Sequence, residues 1–329
     1  MDDPIKYDVF IVDVYNLMYR STFSSEERII KLNTEVCHTE GIIIFLALVD
    51  FYLKKYGAGD DTTIYWLFDN SRTSIQKYRK SLNENYKKTR TEQPSWFYRQ
   101  LDHLELILRN YRENASIFRA SFLEADDYVT NLIQTYIPAG SKTLMISDDA
   151  DWFRSLSDDV HQLKNKRIYN PEDFFEEYGF EATYSNLCFF KCFYGDISDN
   201  IKAALPYFPR VYFLDILKRY NHVSEFIRAV LENKLDYLDL GWIEKIRKEE
   251  ELLLLNWNLI ESADISALDM KTIEIKCKYQ PNKLRIIYDS LDLIGRVDTK
   301  RIQPPHREVD ILAELLKGDN NNASITAES

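Results

Sequence analysis

Glycine and cysteine are scarce in this chain, with nine and four among 329 residues. No glycine-rich loop runs into Lys-Ser or Lys-Thr, which excludes the phosphate cradle of a nucleotide-driven motor. Cys37, Cys188, Cys192 and Cys277 follow no regular spacing. They form no disulfide framework and point to a reducing compartment. Cys188 and Cys192 share a helix face, but no histidine or second cysteine pair accompanies them, so they read as small buried side chains rather than a zinc site. Long hydrophobic runs are missing as well. The longest, residues 41–49, is stopped by Asp50 and is too short to cross a bilayer; it reads as buried helix. The acidic start Met1-Asp2-Asp3-Pro4 has neither the basic nor the apolar region of a signal peptide. The expectation is a cytoplasmic, monomeric protein without membrane association. Positive charge is in deficit, 42 basic against 53 acidic side chains, for a net charge of −11. That excludes a uniformly basic protein that coats nucleic acid.

What is present is a chain able to bury a core, 45% hydrophobic and long enough for roughly two domains. Strand-like runs at residues 8–12, 62–68, 115–120 and 143–147 alternate with helix-length segments, the pattern of a parallel sheet. Residues 171–234 read as several short helices, and 242–260 as leucine-rich helix. No internal repeat is visible. From Asp298 onward Pro304-Pro305 and Asn320-Asn321-Asn322 punctuate a tail, within which Val309, Ile311, Leu312, Leu315 and Leu316 would line one side of a short helix, either docking on a partner or, the favoured reading, packing on its own domain.

Nine carboxylates fall where the strand-like runs end or helices begin: Asp13, Asp69, Glu124, Asp126, Asp127, Asp149, Asp151, Asp196 and Asp199. Each cluster has an ordinary explanation. Asp13 and Asp69 suit helix caps; Glu124 to Asp127 suits an acidic first turn; Asp196 and Asp199 suit a turn. Five clusters in step with the strands are better explained by one site, because ligands of open parallel sheets bind beyond the carboxyl ends of the strands. So many acids in one place repel each other unless a large positive charge joins them. Magnesium, which accepts a few carboxylates and keeps positions for water and phosphate oxygens, makes a two-metal phosphodiesterase the leading expectation. A phosphomonoesterase with Asp13 as nucleophile would want a second aspartate two residues on, where this chain has Tyr15.

A local electropositive segment complements the acids. Arg72, Lys77, Arg79, Lys80, Lys87, Lys88 and Arg90 lie together against the single acid Glu84, suited to a phosphate backbone. Tyr78, Tyr86, Trp96, Phe97 and Tyr98 are interleaved or follow, and offer rings for unpaired bases.

These motifs, Val12-Asp13, Phe68-Asp69, Tyr86-Lys87-Lys88-Thr89-Arg90, Glu124-Ala125-Asp126-Asp127, Ser147-Asp148-Asp149-Ala150-Asp151 and Gly195-Asp196-Ile197-Ser198-Asp199-Asn200, resemble in order and spacing those of the 5′-nuclease family, of flap-endonuclease and 5′-3′ exonuclease type. The remainder is more loosely similar to the T-even phage ribonuclease H branch. The resemblance implies an α/β fold with a central, mainly parallel sheet (PIN-like), a helical arch at about 72–112 and a helical C-terminal subdomain. It divides the chain into a nuclease core at 1–170, a subdomain at 171–297 that completes the metal site and binds duplex, and a tail at 298–329. It implies two Mg²⁺, replaceable by Mn²⁺, with Asp69, Glu124, Asp126 and Asp127 mainly around the first, Asp149, Asp151, Asp196 and Asp199 mainly around the second, and Asp13 acting through water near the first. The catalytic residues it implies are Lys87, Arg90, Asp13, Asp69, Asp126 and Asp149. Nucleic acid would meet Arg72, Lys77, Arg79, Lys80, Tyr86, Lys87, Lys88, Arg90, Lys202 and Arg210. Implied partners are DNA with 5′ flaps or nicks, RNA–DNA hybrid, and replication proteins such as a single-strand-binding protein or clamp, in the host cytoplasm for a phage enzyme. One departure stands out: residues 201–210 contain no glycine, so the family's close, potassium-dependent grip on duplex through backbone amides is not expected. The rival expectation is an inert nucleic-acid-binding or replisome-interaction module on the same fold.

Overall fold

The computed structural model describes residues 5–24, 28–32, 35–69, 74–119, 123–262 and 269–297. Strands β1 (Val9–Asp13), β4 (Thr63–Phe68), β5 (Ala115–Arg119), β6 (Thr143–Ile146) and β7 (Val160–Lys164) run parallel, in the order β7-β6-β1-β4-β5. Two short antiparallel strands close the edges, β8 (Arg167–Tyr169) beside β7 and β9 (Glu274–Lys276) beside β5. β2 (Ile29–Leu32) and β3 (Glu35–His38) form a separate hairpin.

The central strands are apolar throughout because both faces are covered. Phe10, Val12, Ile64, Trp66 and Phe68 face a core built with α1 (Val14–Phe23), α2 (Glu40–Lys55) and α4 (Ser95–Tyr111). The alternate residues Val9, Ile11, Tyr65 and Leu67 face a second core with α5 (Ala125–Tyr136). In-register pairing, Val9 with Thr63 and Thr143, brings the carboxyl ends of β1, β4 and β6 to one edge. The order reverses at β1, whose successors lie on one side and β6 and β7 on the other; such a switch point opens a crevice for ligand.

A third core belongs to helices α6 (Pro171–Tyr178), α7 (Tyr184–Tyr194), α8 (Arg210–Arg219), α9 (Val223–Leu231), α10 (Leu240–Lys248) and α11 (Glu250–Ile260). Remaining elements are α3 (Ser74–Leu82), a 3-10 helix at Ala150–Ser155, and α12 (Pro281–Ser290).

Two expectations need correction. The arch was expected to run to about 112, but α4 buries Phe97, Leu101, Leu104, Ile107 and Leu108 in the first core; its apolar stripe makes it a core helix, which leaves only 74–94 apart from that core. The helical unit was expected to extend to 297, but β9 joins the main sheet and α12 buries Leu284, Ile287 and Tyr288 in the first core. The tail helix expected around Val309 to Leu316 lies outside the described residues, as does Arg72. Among the described residues no helix is long and apolar enough to cross a membrane. All four cysteines are buried and free of disulfides.

Ile287 is fully buried, so Ile287→Ala should lower the unfolding free energy by about 2–5 kcal/mol in urea denaturation followed by circular dichroism. A loss well under 1 kcal/mol would show α12 to be an appendage, not a part of the sheet's core.

Candidate metal centre and nucleic-acid cleft

All of the acids but the last pair stand where a strand ends or a helix begins. Asp13 ends β1 and caps α1: its Oδ1 accepts from Asn16 N at 3.0 Å, and Ser147 Oγ donates to its Oδ2 at 2.7 Å across the switch point. Burial pushes its carboxyl up to about 7, against these two hydrogen bonds, with Asp149 and Asp148 adding to the rise. Glu124 and Asp127 form a reciprocal capping box on α5, which leaves Asp126 free to point elsewhere; Trp152 Nε1 donates to it at 2.7 Å. Asp149 caps the 3-10 helix by accepting from Asp151 N at 2.9 Å. Gln162 of β7 donates to Ser147 O and Asp149 O at 2.8 and 2.7 Å and so holds that loop in place.

The last pair sits in a turn closed by Asp196 and Ile201, each donating its N–H to the other's carbonyl. Gly195 enters that turn at φ +81, and a Cβ there would lie 2.7 Å from Ala203 N and Ile201 O. Backbone contact this close admits only glycine.

The acids converge into two overlapping groups. Oxygens of Asp126, Asp149 and Asp151 lie within 4.8 Å of one another, as do those of Asp151, Asp196 and Asp199. Asp151 belongs to both. This partition differs from the expected one: Asp149 joins Asp126, and Asp127 belongs to neither group. Asp127 gives one oxygen to Arg79 and the other to Glu124 N, because the capping box consumes it. Glu124 is held by Lys87 at 2.6 Å, Arg79 at 2.7 Å and Gln76 at 2.7 Å. Asp13 and Asp69 line the adjoining cleft.

Charge balance across the groups is uneven. Burial raises Asp151, but Lys191 and Arg154 outweigh it and hold the carboxylate well below its usual range. Burial raises Asp196 too, and Lys191 brings it below its usual range. Asp126 goes the other way, pushed well above the usual range by burial and by Asp149, Asp151 and Glu124. A divalent cation would supply the missing charge there, so this donor set of hard oxygens fits Mg²⁺ or Mn²⁺.

Beside the acids opens a cleft of about 430 Å³ lined by Asp13, Tyr15, Tyr19, Asp69, Lys87 and Arg90, among others. The segment 83–90 is zipped onto the Asp199 turn. Lys87 N donates to Asp199 O at 2.9 Å, Arg90 Nη2 to Asp199 Oδ1 at 2.6 Å, and Asn200 Nδ2 to Asn85 O at 2.8 Å. Lys87 takes φ +53 to do so. Burial disfavours its ammonium, but Glu124 and Asp199 more than offset that and keep it charged.

Two residues expected to touch nucleic acid are interior instead. Arg79 is 5% exposed, and pairs with Glu124, Asp127 and the Glu261 carbonyl. Tyr86 is 2% exposed and donates to Asp199. Both serve the acids, which attract any donor the fold brings within reach. Phe97 is buried as well. Lys77, Lys80, Lys88, Arg90, Lys202 and Arg210 are exposed. Between α7 and α8 the backbone is left-handed at Asn200 and Tyr207, and no glycine follows Gly195 there.

Sequence reasoning missed Lys191, Arg154, Trp152, Gln162 and Tyr19. For Lys191 a signal existed: it is the one charged residue in the eleven of α7.

A parallel sheet with acids gathered at its switch point defines a PIN-like nuclease. The family described as "5′-3′ exonuclease, N-terminal resolvase-like domain" matches residues 8–179, and the chain belongs to this 5′-nuclease family. The 5′-3′ exonuclease of Buchnera aphidicola subsp. Schizaphis graminum is 27% identical over 232 residues, 68% of this chain and 75% of the relative. Among solved structures, the bacteriophage T5 flap endonuclease in a pseudo-enzyme-product complex with DNA and metal ions is 17% identical, with a TM-score of 0.57 over 96% of this chain and 99% of that one. The T5 5′-exonuclease with bound zinc is 20% identical, with a TM-score of 0.57 over 87% of this chain and 98% of that one. At these identities the structural likeness carries the fold.

Arg79→Met removes the interior partner of Glu124 and Asp127 and should destabilise the protein by about 3–5 kcal/mol, read by urea denaturation. Unchanged stability with weakened DNA binding would return Arg79 to the nucleic-acid surface.

Proposed function

We propose that this chain is a Mg²⁺-dependent, structure-specific 5′-3′ exonuclease and flap endonuclease that hydrolyses phosphodiesters near 5′ ends and removes RNA primers or flaps in phage-type DNA replication. The observation that carries it is the pair of acid groups sharing Asp151, set beside a cleft into which Lys87 and Arg90 project. Asp126, Asp149 and Asp151 would hold one divalent ion, and Asp151, Asp196 and Asp199 the other. Such a pair, when bound, activates water and stabilises charge on the attacking and leaving oxygens.

The chain's own groups do the rest. Lys87 and Arg90 bring two positive charges to the cleft and hold the phosphate, Arg90 with the planar fork that suits its oxygens. Placed before the reaction by their contacts with Glu124 and Asp199, they need little reorganisation as charge develops. Ser147 and Asn16 fix the Asp13 carboxyl at the cleft floor. Tyr15 and Tyr19 line the same cleft and offer ring faces to unstacked bases. Lys77, Lys80 and Lys88, exposed on the segment that bears the arch resemblance, lie on the path of a 5′ single strand; Lys202 and Arg210 lie on the path of the duplex. No potassium ion is invoked at the glycine-free residues 201–210. Single-strand-binding and clamp proteins of the replisome are the partners this role would bring, in the host cytoplasm for a phage enzyme.

Cleavage of a 5′-labelled flap duplex and of a nicked RNA–DNA hybrid in Mg²⁺ tests the proposal. Wild type should release 5′-phosphorylated mono- or short oligonucleotides, and Asp149→Asn should cut at least about 100-fold more slowly, more than loss of a supporting residue costs a metal site. Tight, structure-selective binding by wild type without any cleavage would sink the enzyme in favour of an inert module.

A further inference from the structure

The two acid groups share a ligand but are not equivalent. In the second group each carboxylate already has a protein cation. Lys191 Nζ contacts Asp151 Oδ1 and lies 2.7 Å from Asp196 Oδ2. Arg154 reaches Asp151 at 3.1 Å and Arg90 reaches Asp199 at 2.6 Å. In the first group only the shared Asp151 is paired; none of the described cations forms an ion pair with Asp126 or Asp149.

Lys191 is the cation that bridges. Its side chain is 12% exposed, it stands in the last turn of α7, and the rest of that helix is uncharged. A lysine drawn into an apolar helix is costly unless its charge is matched, and here two carboxylates from different segments match it. Those same carboxylates belong to the second metal group. The ammonium therefore does for Asp151 and Asp196 what a second ion would do: it cancels their repulsion and holds the Asp196 turn against the 3-10 helix. Arginine in this role would make fixed, forked contacts. A lysine offers a compact charge on a flexible stem that can withdraw.

We propose that Lys191 is an internal stand-in for the second divalent ion, and that the two ions therefore bind in order: the first enters the group of Asp126, Asp149 and Asp151, and the second enters only as Lys191 is displaced from Asp151 and Asp196. The inference rests on the two-ion reading above. It makes Lys191 a positioning residue that sets metal affinity and maintains the site before metal arrives. An enzyme so built keeps a formed site at low metal concentration yet completes it only when divalent ion is abundant.

The test is isothermal titration of Mn²⁺ into the metal-free full chain, without DNA, for wild type, Lys191→Met and Lys191→Arg, with Tm measured with and without saturating Mn²⁺. Wild type should show a tight and a weak event, and Lys191→Met should tighten the weak event about ten- to a hundredfold, the scale of removing one nearby unit charge. The tight event should change less. Without Mn²⁺ the Tm of Lys191→Met should fall below wild type, and saturating Mn²⁺ should close the gap. Lys191→Arg, which keeps the charge, should keep the two events apart. A weak event unchanged or weakened in Lys191→Met, or a Tm deficit that Mn²⁺ does not close, overturns the role of Lys191. A Lys191→Met chain that folds only with Mn²⁺ counts for it, and one that Mn²⁺ does not rescue counts against it. Absence of Mn²⁺ binding in wild type and variants alike would overturn the two-ion reading instead.

Discussion

Like charge gathered out of water is the constraint around which this molecule is arranged. Carboxylates from β1, the α5 start, the loop after β6 and the turn after α7 converge at one edge of the sheet, and each would take up a proton if left alone with the others. The fold answers with cations drawn from distant sequence. Arg79 and Lys87 reach Glu124 from the segment after β4, Arg90 reaches Asp199, and Arg154 and Lys191 reach Asp151. The basic run at 77–90 thus has two duties that its composition does not separate. Arg79 and the Tyr86 hydroxyl turn inward to the acids, and Lys77, Lys80 and Lys88 remain outside.

This constraint also joins the two units of the fold. The sheet supplies Asp126, Asp149 and Asp151, and the helical unit supplies Asp196 and Asp199, so the site exists only where the two meet. Asp151 stands at the seam, on a 3-10 helix whose Phe153 packs into the helical core and whose Trp152 packs beneath the sheet. Adjacent residues facing opposite cores fix the carboxylate between them. The seam is stitched further where Lys87 N donates to Asp199 O and the Arg79 guanidinium donates to Glu261 O at the end of α11. Rigid packing on both sides gives the precision that a set of metal ligands requires.

Much of this was legible in the sequence, for physical reasons. Buried parallel strands are apolar runs, and residues 62–68 and 143–147 became β4 and β6 nearly as read. The acids were legible because a strand's end is where a polar side chain first becomes tolerable. The edge strands were not: Glu274–Lys276 is three residues long with two of them charged, and it pairs with a strand more than 150 positions away, which no local pattern announces. α4 falls within the arch that the family resemblance implies, but its apolar stripe of Phe97, Leu101, Leu104 and Leu108 marks a core helix. The resemblance implies Asp127 as a ligand of the first ion, but the capping box, a local rule of helices, turns it to Glu124 N and Arg79. Lys191 stood unremarked in an aromatic run, since a sequence shows a lone charge without its partners.

Two kinds of cation, fixed and removable, follow from the geometry of this site. Arg154 is locked by Asp151 O, Ser262 Oγ and the face of Tyr184, and has several reasons to stay whatever else enters. Lys191 is held by the two carboxylates that a metal would claim. Arg79 is similarly fixed, by three acceptors, and Lys87 resembles Lys191 in resting on carboxylate oxygen, Glu124 at 2.6 Å and Asp199 at 3.9 Å. Arg79 and Arg154 build the site's walls, and Lys87 and Lys191 occupy the positions that ion and phosphate would contest in the proposed reaction. That division matches the chemistry of the two side chains, the planar fork for permanent contacts and the point charge on a flexible stem for exchangeable ones.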